Sequence, residues 1–354
     1  MMRRALALAE RGLYTTTPNP RVGCVIVRDG EVVGEGFHER AGEPHAEVHA
    51  LRAAGERASG ATLYVTLEPC AHHGRTPPCA DAIIAAGVTR VVSAVQDPNP
   101  LVGGQGQTRL QAAGIQVEIG LLEPEARELN IGFLSRMTRG RPWLRLKVAA
   151  TLDGKTALDN GQSQWITGPE ARRDGHAFRA RACAVLTGIG TVKEDDPQLN
   201  VREIETPRQP LTILIDSRLE VPLNAKLLQN GPVLIACAQE EPEKTKLLRD
   251  RGIEVVVLPN EAGKVELECL FRELGRRQLN EVHVEAGFKL NGSLLREGLV
   301  DELLVYLAPC LMGHAGQGMF NLPALQNLQD MTRLDIFDVA RLGRDLRLRA
   351  RVLA

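Results

Sequence analysis

The stretch between His45 and Cys79 constrains the fold of this chain more than any other, because it holds the residue types of a metal site. It reads H-A-E from His45 to Glu47 and P-C-A-H-H-G-R-T-P-P-C from Pro69 to Cys79. One imidazole, two thiols and a nearby carboxylate that need not be a ligand are what a catalytic zinc site requires, with a vacancy for water. The fold must therefore bring two separate stretches of chain to one point.

The spacing within this motif separates classes of zinc site. A metalloprotease helix needs Glu directly after its first His, and Ala46 occupies that position here, so the protease motif fails. The order H-x-E followed by P-C and a second Cys is instead typical of zinc nucleobase deaminases, in which two residues separate the cysteines. Here eight residues separate Cys70 from Cys79. His72 and His73 in this insert are alternative ligands, but a Pro-Cys pair and a Cys at a predicted helix start favour the two thiols.

These residue types predict a hydrolytic deamination. Zinc lowers the pKa of its bound water to about 7, which makes hydroxide available at neutral pH. Glu47 would take the water proton and return it to a ring nitrogen and then to the leaving ammonia. His45, Cys70 and Cys79 are the predicted ligands, and an aminopyrimidine-like ring is the expected substrate.

Local patterns predict alternating strands and helices in the first half. Asp29-Gly30 is a hairpin signal between two apolar runs, and Pro44 places His45 and Glu47 at the start of a helix. The predicted helices are 2–12, 44–57, 79–86, 108–113 and 123–137, and the predicted strands are 22–27, 31–37, 61–67, 88–95 and 115–119. This alternation predicts an α/β/α sandwich with helices on both faces of a sheet.

A linker rich in charge, Gly and Pro at residues 138–142 separates the two halves, so we predict domains at 1–143 and 144–354. In the second half, a helix is predicted at 169–181, and two or three antiparallel strands are predicted to close the sheet after residue 301. The other predicted strands are 143–150, 182–188, 211–215, 233–237, 253–258 and 282–285.

Several residues in the second half are candidates for ligand contact, and some of them also have a structural interpretation. Trp165, in a polar loop, is either part of a ligand lid or a core anchor. Ser217 and Arg218, after a buried strand, are either a grip for a 2′-phosphate or an exposed turn. Glu285 follows a strand at the position where α/β sheets bind ligands, and Lys147 is a candidate to approach it.

Composition argues against several classes of partner. A net charge of -1 and an aromatic content of 3% disfavour a polynucleotide. No run approaches the ~20 apolar residues of a membrane span, and the apolar stretch near residue 5 is shorter than a signal-peptide core. Seven cysteines argue against a disulfide framework. We therefore expect a cytoplasmic homo-oligomer with a small-molecule substrate and no nucleic-acid or membrane partner. The cysteines outside the motif that we expect to be structural are Cys24, Cys183, Cys237, Cys269 and Cys310.

The segments TTTPNPRVGCVIV, GEPHAEVHAL and YVTLEPCAHHGRTPPC resemble the bifunctional riboflavin-biosynthesis deaminase/reductase family, which shares the eight-residue gap. The resemblance implies a cytidine-deaminase-like first domain, zinc on the three ligands named above and Glu47 as proton shuttle. It also implies a substrate pocket lined by Asn19, His38, His72 and Arg75. Arg75 stands where the family often has Lys, which preserves the charge for a phosphate but changes the geometry.

The segments LRLKVAATLDGKTA, GQSQWITGPEARR, TVKEDDPQLNVR, IDSR and VEAG resemble the reductase half of the same family, which has a dihydrofolate-reductase-like α/β fold. The resemblance implies deamination of a diaminopyrimidinone ribosylamine phosphate, followed by hydride transfer from NADPH to C1′ of the ribose. The implied NADPH contacts are Ala149, Trp165, Thr191, Asp195, Ser217 and the turn formed by Gly287, Phe288, Lys289, Leu290, Asn291, Gly292 and Ser293. The implied substrate contacts are Ser163, Arg179, Leu199, Arg202 and Glu285, with Lys147 as a further candidate beside Glu285.

Two other functions fit parts of the sequence. A nucleoside or tRNA-type deaminase fused to an unrelated domain would share the zinc motif, although the low aromatic content and near-neutral charge disfavour RNA. A structural zinc module would need a fourth protein ligand, such as His72 or His73, and would have no open position.

Overall fold

The computed structural model describes residues 1–72, 77–99 and 102–353. The chain divides into two compact units, Met1–Arg141 and Pro142–Ala354. Among the described residues, no helix is both long enough and apolar enough to cross a membrane.

In the described part of the first unit, five strands form one sheet: β1 (Gly23–Arg28), β2 (Glu31–Phe37), β3 (Thr62–Val65), β4 (Arg90–Ser93) and β5 (Gln116–Ile119). The helices are α1 (Met2–Glu10), α2 (Ala46–Ala54), α3 (Cys79–Ala85), α4 (Gln105–Ala112), α5 (Glu123–Leu129) and α6 (Ile131–Arg139), with a 3-10 turn at Gly55–Ala58. The strand order is β2-β1-β3-β4-β5. β1 pairs antiparallel with β2 and β3, while β3, β4 and β5 are parallel.

Helices cover both faces of this sheet, as predicted. Gly23 of β1 packs directly on α1, where a Cβ would lie 2.0 Å from the carbonyl oxygen of Ala5. Gly34 of β2 packs on α2, where a Cβ would lie 2.2 Å from the carbonyl oxygen of Ala50. Gly34 pairs with Ile26, which faces the side of β1 opposite to Gly23 because successive strand residues alternate. The two helices therefore lie on opposite faces.

The predicted hairpin is present, whereas one predicted helix is wrong in its length. Asp29 and Gly30 form the β1–β2 turn with φ values of 52° and 84°, as an Asp-Gly hairpin requires. The helix predicted at 123–137 is instead divided into α5 and α6 at Asn130. The Asn130 side chain accepts a hydrogen bond from the backbone N–H of Arg21 at 2.8 Å and donates one to the Arg21 carbonyl at 2.9 Å. This long-range pairing fixes the break.

Of the residues described in the second unit, nine strands form the main sheet and two form a smaller one. The strands are β6 (Trp143–Thr151), β7 (Lys155–Ala157), β8 (Ala184–Gly188), β9 (Leu211–Ile215), β10 (Val233–Cys237), β11 (Glu254–Val257), β12 (Glu281–Val284), β13 (Glu302–Ala308), β14 (Gln317–Gly318), β15 (Leu334–Leu342) and β16 (Asp345–Val352). The helices are α7 (Pro169–Arg181), α8 (Ile189–Asp195), α9 (Pro242–Asp250), α10 (Leu267–Arg276) and α11 (Phe288–Arg296), with 3-10 turns at Lys226–Gln229 and Leu328–Asp330.

The main sheet has the order β11-β10-β9-β8-β12-β6-β13-β16-β15 and is parallel from β11 to β13. β16 and β15 are antiparallel to their neighbours, and β7 and β14 form the smaller sheet. The prediction of two or three antiparallel strands that close the sheet after residue 301 is therefore confirmed by β13, β16 and β15, and β13 joins them to the parallel part of the sheet. Seven residue pairs, from Glu302↔Arg145 to Ala308↔Thr151, hold β13 parallel to β6.

The prediction that all remaining cysteines are structural is wrong for two of them. Cys24, Cys183 and Cys237 are buried, but Cys269 and Cys310 are exposed. Cys269 is followed in sequence by Leu270 and Phe271, which are buried on α10, while Cys269 itself is exposed. An apolar sequence neighbourhood did not indicate burial here, because a helix turns its successive residues to different sides.

Candidate active sites

The start of α2 positions the imidazole and the carboxylate of the motif in the first unit. His45 is the residue that precedes the helix, and Glu47 lies in its first turn. Cys79 is the first residue of α3, and Cys70 lies in the segment between β3 and α3. The backbone N–H of Cys79 donates a hydrogen bond to the Cys70 sulfur at 3.3 Å, so the start of α3 also orients the second thiol.

The three predicted ligands converge. One donor atom each from His45, Cys70 and Cys79 lie within 4.8 Å of one another, and this is the one such cluster of potential metal ligands in the part of the chain that the structure describes. His45 Nδ1 lies 3.7 Å from Cys70 Sγ and 3.3 Å from Cys79 Sγ. Nitrogen and sulfur ligands bound tetrahedrally to one zinc ion would be about 3.5 Å apart, given Zn–N and Zn–S bonds of about 2.0 and 2.3 Å. The donor set and its spacing therefore fit zinc.

The electrostatics of the cluster favour a thiolate at Cys70, whereas the hydrogen bond to Cys70 and burial raise the pKa of the Cys79 thiol. The pKa of the Cys70 thiol lies well below its usual value because it accepts hydrogen bonds from the thiol of Cys79 and from His45, although burial acts in the opposite direction. A thiolate is the form of cysteine that binds a metal.

Glu47 is buried without a full set of partners. Its side chain is 3% exposed, and among the described residues its Oε2 has no hydrogen-bond partner. Burial raises the pKa of Glu47 to about 7, while the nearby His45 charge acts to lower it. Since a buried carboxyl oxygen is normally satisfied, this atom is the one available to a bound water or substrate.

His38 lies beside the ligand cluster, and Asn19 is joined to His38. His38 is buried, and its ring lies edge-on to that of His45 with centroids 5.3 Å apart. His38 Nδ1 lies 3.2 Å from the carbonyl oxygen of Pro44, so it donates, and Nε2 can then accept from the Asn19 amide at 3.0 Å. The sequence left His38 between a surface residue and a pocket wall, and Asn19 between a ligand contact and a turn residue; His38 is buried beside His45 and Asn19 is hydrogen-bonded to it, while substrate binding by either stays a prediction.

Of the other two residues predicted to bind the deaminase substrate, His72 lies in the described part of the chain. His72 is exposed, close enough to Asp97 to affect its pKa. His73 and Arg75 lie outside the described residues. A structural zinc site would require a fourth protein ligand, and none joins the cluster among the described residues.

A residue that the sequence did not single out supports the ligand loop. Glu68, which is buried, accepts hydrogen bonds on its carboxylate from four backbone N–H groups at 2.9–3.3 Å. They belong to Asp97, Gly104, Gly106 and Gln107. Glu68 therefore ties the segment before Cys70 to the turn that leads into α4.

The second unit contains a cleft of about 450 Å³. It lies where Glu285 and Gly287 follow β12 and Thr191 follows β8, which is the carboxyl edge at which parallel sheets bind ligands. All the predicted substrate contacts of the second unit line this cleft: Lys147, Ser163, Arg179, Leu199, Arg202 and Glu285.

Cations surround the Glu285 carboxylate at the base of this cleft. Arg179 donates two hydrogen bonds to it, from Nε to Oε1 and from Nη2 to Oε2, the latter at 2.9 Å. Lys147 Nζ lies 3.7 Å from Oε2, and His283 Nε2 lies 3.4 Å from Oε1. Burial alone would raise the pKa of Glu285, but the charges of Arg179 and Lys147 hold it well below its usual value. The predicted approach of Lys147 to Glu285 is thus present.

The predicted NADPH contacts divide into two groups. Those that line the cleft are Ala149, Trp165, Thr191, Asp195, Gly287, Phe288 and Asn291. Those that are not part of its lining are Ser217, Lys289, Leu290, Gly292 and Ser293. The Ser217 hydroxyl accepts from the backbone N–H of Val265 at 3.2 Å, and a Cβ on Gly292 would lie 2.2 Å from the Asn321 carbonyl oxygen. These two residues have local packing partners in the structure.

The loop that carries Trp165 covers one side of the cleft. Trp165 is 64% exposed, which rules out the core-anchor interpretation. The Arg172 guanidinium lies over its ring, 4.7 Å from the centroid. Ser163 Oγ and Gln164 Nε2 both donate to Asp195 Oδ1, each at 3.2 Å. A predicted substrate contact and a predicted cofactor contact are therefore joined directly.

Several cleft residues were missed from the sequence: Thr156, Arg172, His176, Lys226 and Tyr306. Thr156 and Arg172 lie within segments that resemble the family but were not singled out, whereas His176, Lys226 and Tyr306 lie outside those segments. The helical spacing of His176 and Arg179, three residues apart on α7, was the one available signal that both face the same side.

Comparison with known proteins extends over nearly the whole chain. Residues 1–95 match the family model of the cytidine and deoxycytidylate deaminase zinc-binding region, and residues 142–348 match that of the RibD C-terminal domain. The riboflavin biosynthesis protein RibD of Escherichia coli (strain K12) is 51% identical, with 98% of this chain and 96% of that protein covered. The solved structure of Acinetobacter baumannii RibD, form 1, is similar with a TM-score of 0.92 and 47% identity, covering 100% of this chain and 98% of that one. That of a Thermotoga maritima deaminase/reductase has a TM-score of 0.88 and 34% identity, covering 99% and 97%.

The fold and the two sites define an enzyme in which a zinc-binding deaminase unit is joined to a reductase unit that uses a nicotinamide cofactor. Its substrate is a small molecule, a pyrimidine carrying a ribose phosphate. The chain belongs to the RibD family, the bifunctional deaminases and reductases of riboflavin biosynthesis.

Proposed function

We propose that the first unit hydrolytically deaminates 2,5-diamino-6-(5-phosphoribosylamino)pyrimidin-4-one and that the second unit reduces the ribosyl chain of the product to ribityl with NADPH. The convergence of His45, Cys70 and Cys79 next to the unpartnered carboxyl oxygen of Glu47 carries this proposal. The similar Thermotoga maritima protein is named a diaminohydroxyphosphoribosylaminopyrimidine deaminase and 5-amino-6-(5-phosphoribosylamino)uracil reductase, which supports this substrate.

His45 Nδ1 and the sulfurs of Cys70 and Cys79 are the proposed zinc ligands. Zinc bound there supplies an activated water for attack on the ring carbon that carries the amino group. Glu47 is the proposed proton shuttle: Oε2 accepts one proton from the attacking water and gives it to the ring nitrogen, and then carries the second proton of that water to the amine, which leaves as ammonia when the C–N bond breaks. A carboxyl with a pKa near 7 is suited to both transfers, because its two protonation states differ little in free energy at neutral pH.

The residues around the cluster hold the substrate in this proposal. The hydrogen bond from the Asn19 amide to His38 fixes both side chains at the pocket wall, so that Asn19 Oδ1 accepts from the pyrimidine. His72 and Arg75 remain proposed contacts, with the Arg75 charge serving the phosphate.

In the second unit, the fixed charges of the cleft position the ribose. NADPH, when bound, supplies the hydride that reduces C1′. The Glu285 carboxylate, held as an anion by Arg179, accepts from a ribose hydroxyl, and Lys147 donates to a second oxygen of the sugar. The Arg202 guanidinium pairs with the phosphate, while Leu199 and Ser163 contact the sugar and the base.

The proposed cofactor site uses the lid and the start of α11. Gly287 precedes this helix, and the backbone N–H groups that follow it, at Phe288 and Lys289, are suited to a phosphate of NADPH. Ala149 and Thr191 line the same region, and Trp165 closes over it while Asp195 holds the lid. Ser217, Leu290, Asn291, Gly292 and Ser293 complete the proposed set.

Replacement of one ligand tests the division of the two activities. We expect Cys70→Ala to lose zinc and deamination while retaining NADPH oxidation with the deaminated intermediate. Zinc content by mass spectrometry and each activity by absorbance measure this. Cys269→Ala is the matched control, because Cys269 is exposed and lies outside the ligand cluster. Retention of zinc and deamination by Cys70→Ala would refute the ligand assignment, and loss of both activities would refute the separation of the sites.

We also propose that the protein forms a homo-oligomer through β15. This strand lies at one end of the main sheet, and its side chains of Leu334, Ile336, Phe337 and Val339 are 39–59% exposed. An edge strand with exposed apolar side chains is prone to pair with another chain. Light scattering of Ile336→Asp tests this, and a variant of unchanged mass would refute it.

A further inference from the structure

Side chains hold the short segment between Leu199 and Arg202 at several points. Arg179 Nη1 donates to the Asn200 carbonyl at 2.9 Å. Gln209 accepts from the backbone N–H of Val201 at 2.7 Å and donates to its carbonyl at 3.0 Å. This segment carries two of the proposed substrate contacts of the cleft, so its position decides where they point.

His176 makes the hold at Arg202. Its Nδ1 accepts a hydrogen bond from the backbone N–H of Arg202 at 3.3 Å. His176 is 4% exposed, lines the cleft, and lies three residues before Arg179 on the same side of α7. Two residues on one face of α7 therefore hold the backbone of this segment, at Asn200 and at Arg202.

The hydrogen bond fixes the form of the imidazole. Because Nδ1 accepts, it carries no proton, and the proton of the uncharged ring lies on Nε2. Burial and the charges of Arg179 and Arg202 lower the pKa of His176 to about 4, so the ring stays uncharged at neutral pH. A protonated ring would lose the acceptor and would add a positive charge beside two guanidinium groups.

We propose that His176 is a positioning residue of the reductase, which fixes the backbone at Arg202 so that the Arg202 guanidinium meets the phosphate of the substrate. This inference rests on the proposed phosphate-binding role of Arg202. In this proposal, His176 affects binding of the phosphate through Arg202, and it takes no part in the chemistry at Glu285.

Two amide replacements of His176 differ in the one atom that matters. In His176→Asn, the side-chain oxygen takes the place of Nδ1 and keeps the acceptor. In His176→Gln, the amide reaches the position of Nε2 and the acceptor is lost.

NADPH oxidation with the deaminated intermediate gives kcat and both KM values for the full-length enzyme. We expect His176→Gln to raise KM for the phosphorylated substrate by about tenfold, the effect of one lost hydrogen bond to an aligned segment. The expected kcat and the KM for NADPH are unchanged, and His176→Asn stays within about twofold of the wild type in all three.

A structural role would give a different pattern, in which both replacements lower activity and thermal stability together. Equal KM values for the two variants would overturn the inference. Should His176→Gln fail to fold, a rise in KM of tenfold in His176→Asn would overturn it equally, because that variant keeps the acceptor.

Arg202→Gln separates this inference from the proposed function. If Arg202→Gln leaves KM for the substrate unchanged, the phosphate-binding role of Arg202 fails. If Arg202→Gln raises KM and His176→Gln does not, the role of His176 alone fails. The double variant should have the KM of Arg202→Gln, since both changes remove the same contact.

Discussion

Each unit has a glutamate largely shielded from solvent at its site, Glu47 buried and Glu285 with a side chain 14% exposed, and the two carboxylates are in opposite states. Glu47 has an oxygen without a hydrogen-bond partner among the described residues, and burial raises its pKa to about 7. Glu285 receives two hydrogen bonds from Arg179 and lies near Lys147, and its pKa is well below its usual value. Both carboxylates lose hydration on folding; Arg179 and Lys147 outweigh this loss at Glu285, whereas His45 offsets it only in part at Glu47. The surrounding charges, and not burial alone, therefore decide whether a buried carboxylate exchanges a proton.

The two states suit two kinds of chemistry. A deaminase has to move a proton several times in one turnover, which a carboxyl with a pKa near 7 allows. A reductase that receives its hydride from a cofactor needs fixed groups that orient the sugar, and a permanently ionised carboxylate supplies one.

Glu47→Gln tests the first half of this comparison and has the largest expected effect. The amide keeps the size of the side chain but cannot take a proton, so we expect deamination to fall by about 10³-fold, within the range of general acid–base catalysis. Zinc content and NADPH-dependent reduction should not change. Glu43→Gln is the control, because Glu43 is exposed two residues before His45. A variant with more than a tenth of wild-type deamination would show that Glu47 is not the shuttle.

Glu285→Gln tests the second half through stability. It leaves Arg179 and Lys147 without their common anion, so we expect the free energy of unfolding at pH 7 to fall by about 3 kcal/mol. Trp143 and Trp165 are the two tryptophans and both belong to the second unit, so urea unfolding followed by tryptophan fluorescence reports on that unit.

The pH dependence of this difference follows from the lowered pKa. Glu285 stabilises the folded state fully above its ordinary pKa of 4.5, and this contribution is lost as the pH falls through its lower folded value. The difference between wild type and Glu285→Gln should therefore be largest above pH 4.5 and shrink below it. Glu268→Gln removes an exposed ion pair with Arg272 and should cost less than about 0.5 kcal/mol. A difference that is constant with pH would contradict this account.

Gly106→Ala tests the packing that supports the proposed zinc ligands and leaves the ligands themselves unchanged. A Cβ on Gly106 would lie 1.9 Å from the carbonyl oxygen of Pro69, directly before Cys70. We expect a loss of about 2 kcal/mol in stability, typical of overpacking, and faster zinc release to a chelator. Gln111→Ala on the exposed side of α4 is the control. Wild-type zinc release by Gly106→Ala would show that this contact does not support the site.

Asp195→Ala has the smallest expected effect. It removes the acceptor of the lid hydrogen bonds from Ser163 and Gln164, so we expect KM for NADPH to rise by about fivefold with kcat nearly unchanged. Ser163→Ala removes one of these bonds and should give an intermediate value. Steady-state kinetics of the reductase reaction measure both. A lower KM in either variant would mean that the lid hinders cofactor binding.

Features with local causes were predictable from the sequence. The Asp-Gly hairpin depends on two residues, and the spacing H-x-E with P-C and a second Cys indicated a cluster that the structure shows within 4.8 Å. The helical start at α2 followed from Pro44, and the positions of the strands of the second unit followed from their apolar runs.

Features that depend on distant partners were not predictable. The break between α5 and α6 depends on Arg21, which is 109 residues before Asn130. Glu68 is an ordinary acidic residue in the sequence, and its four amide partners come from residues 97–107. The proposed role of His176 depends on a hydrogen bond from the backbone of Arg202, which lies beyond the next strand in the chain. A single sequence does not reveal which distant backbone group a side chain will meet.

The anchoring of Glu68 limits how the deaminase unit can be transplanted. The matching zinc-binding family model ends at residue 95, although all the amide groups that satisfy Glu68 follow that point. A graft cut at residue 95 would carry every proposed zinc ligand and yet leave a buried carboxylate uncompensated. Because Asn130 also holds the backbone of Arg21, we expect a portable deaminase unit to extend at least to residue 130.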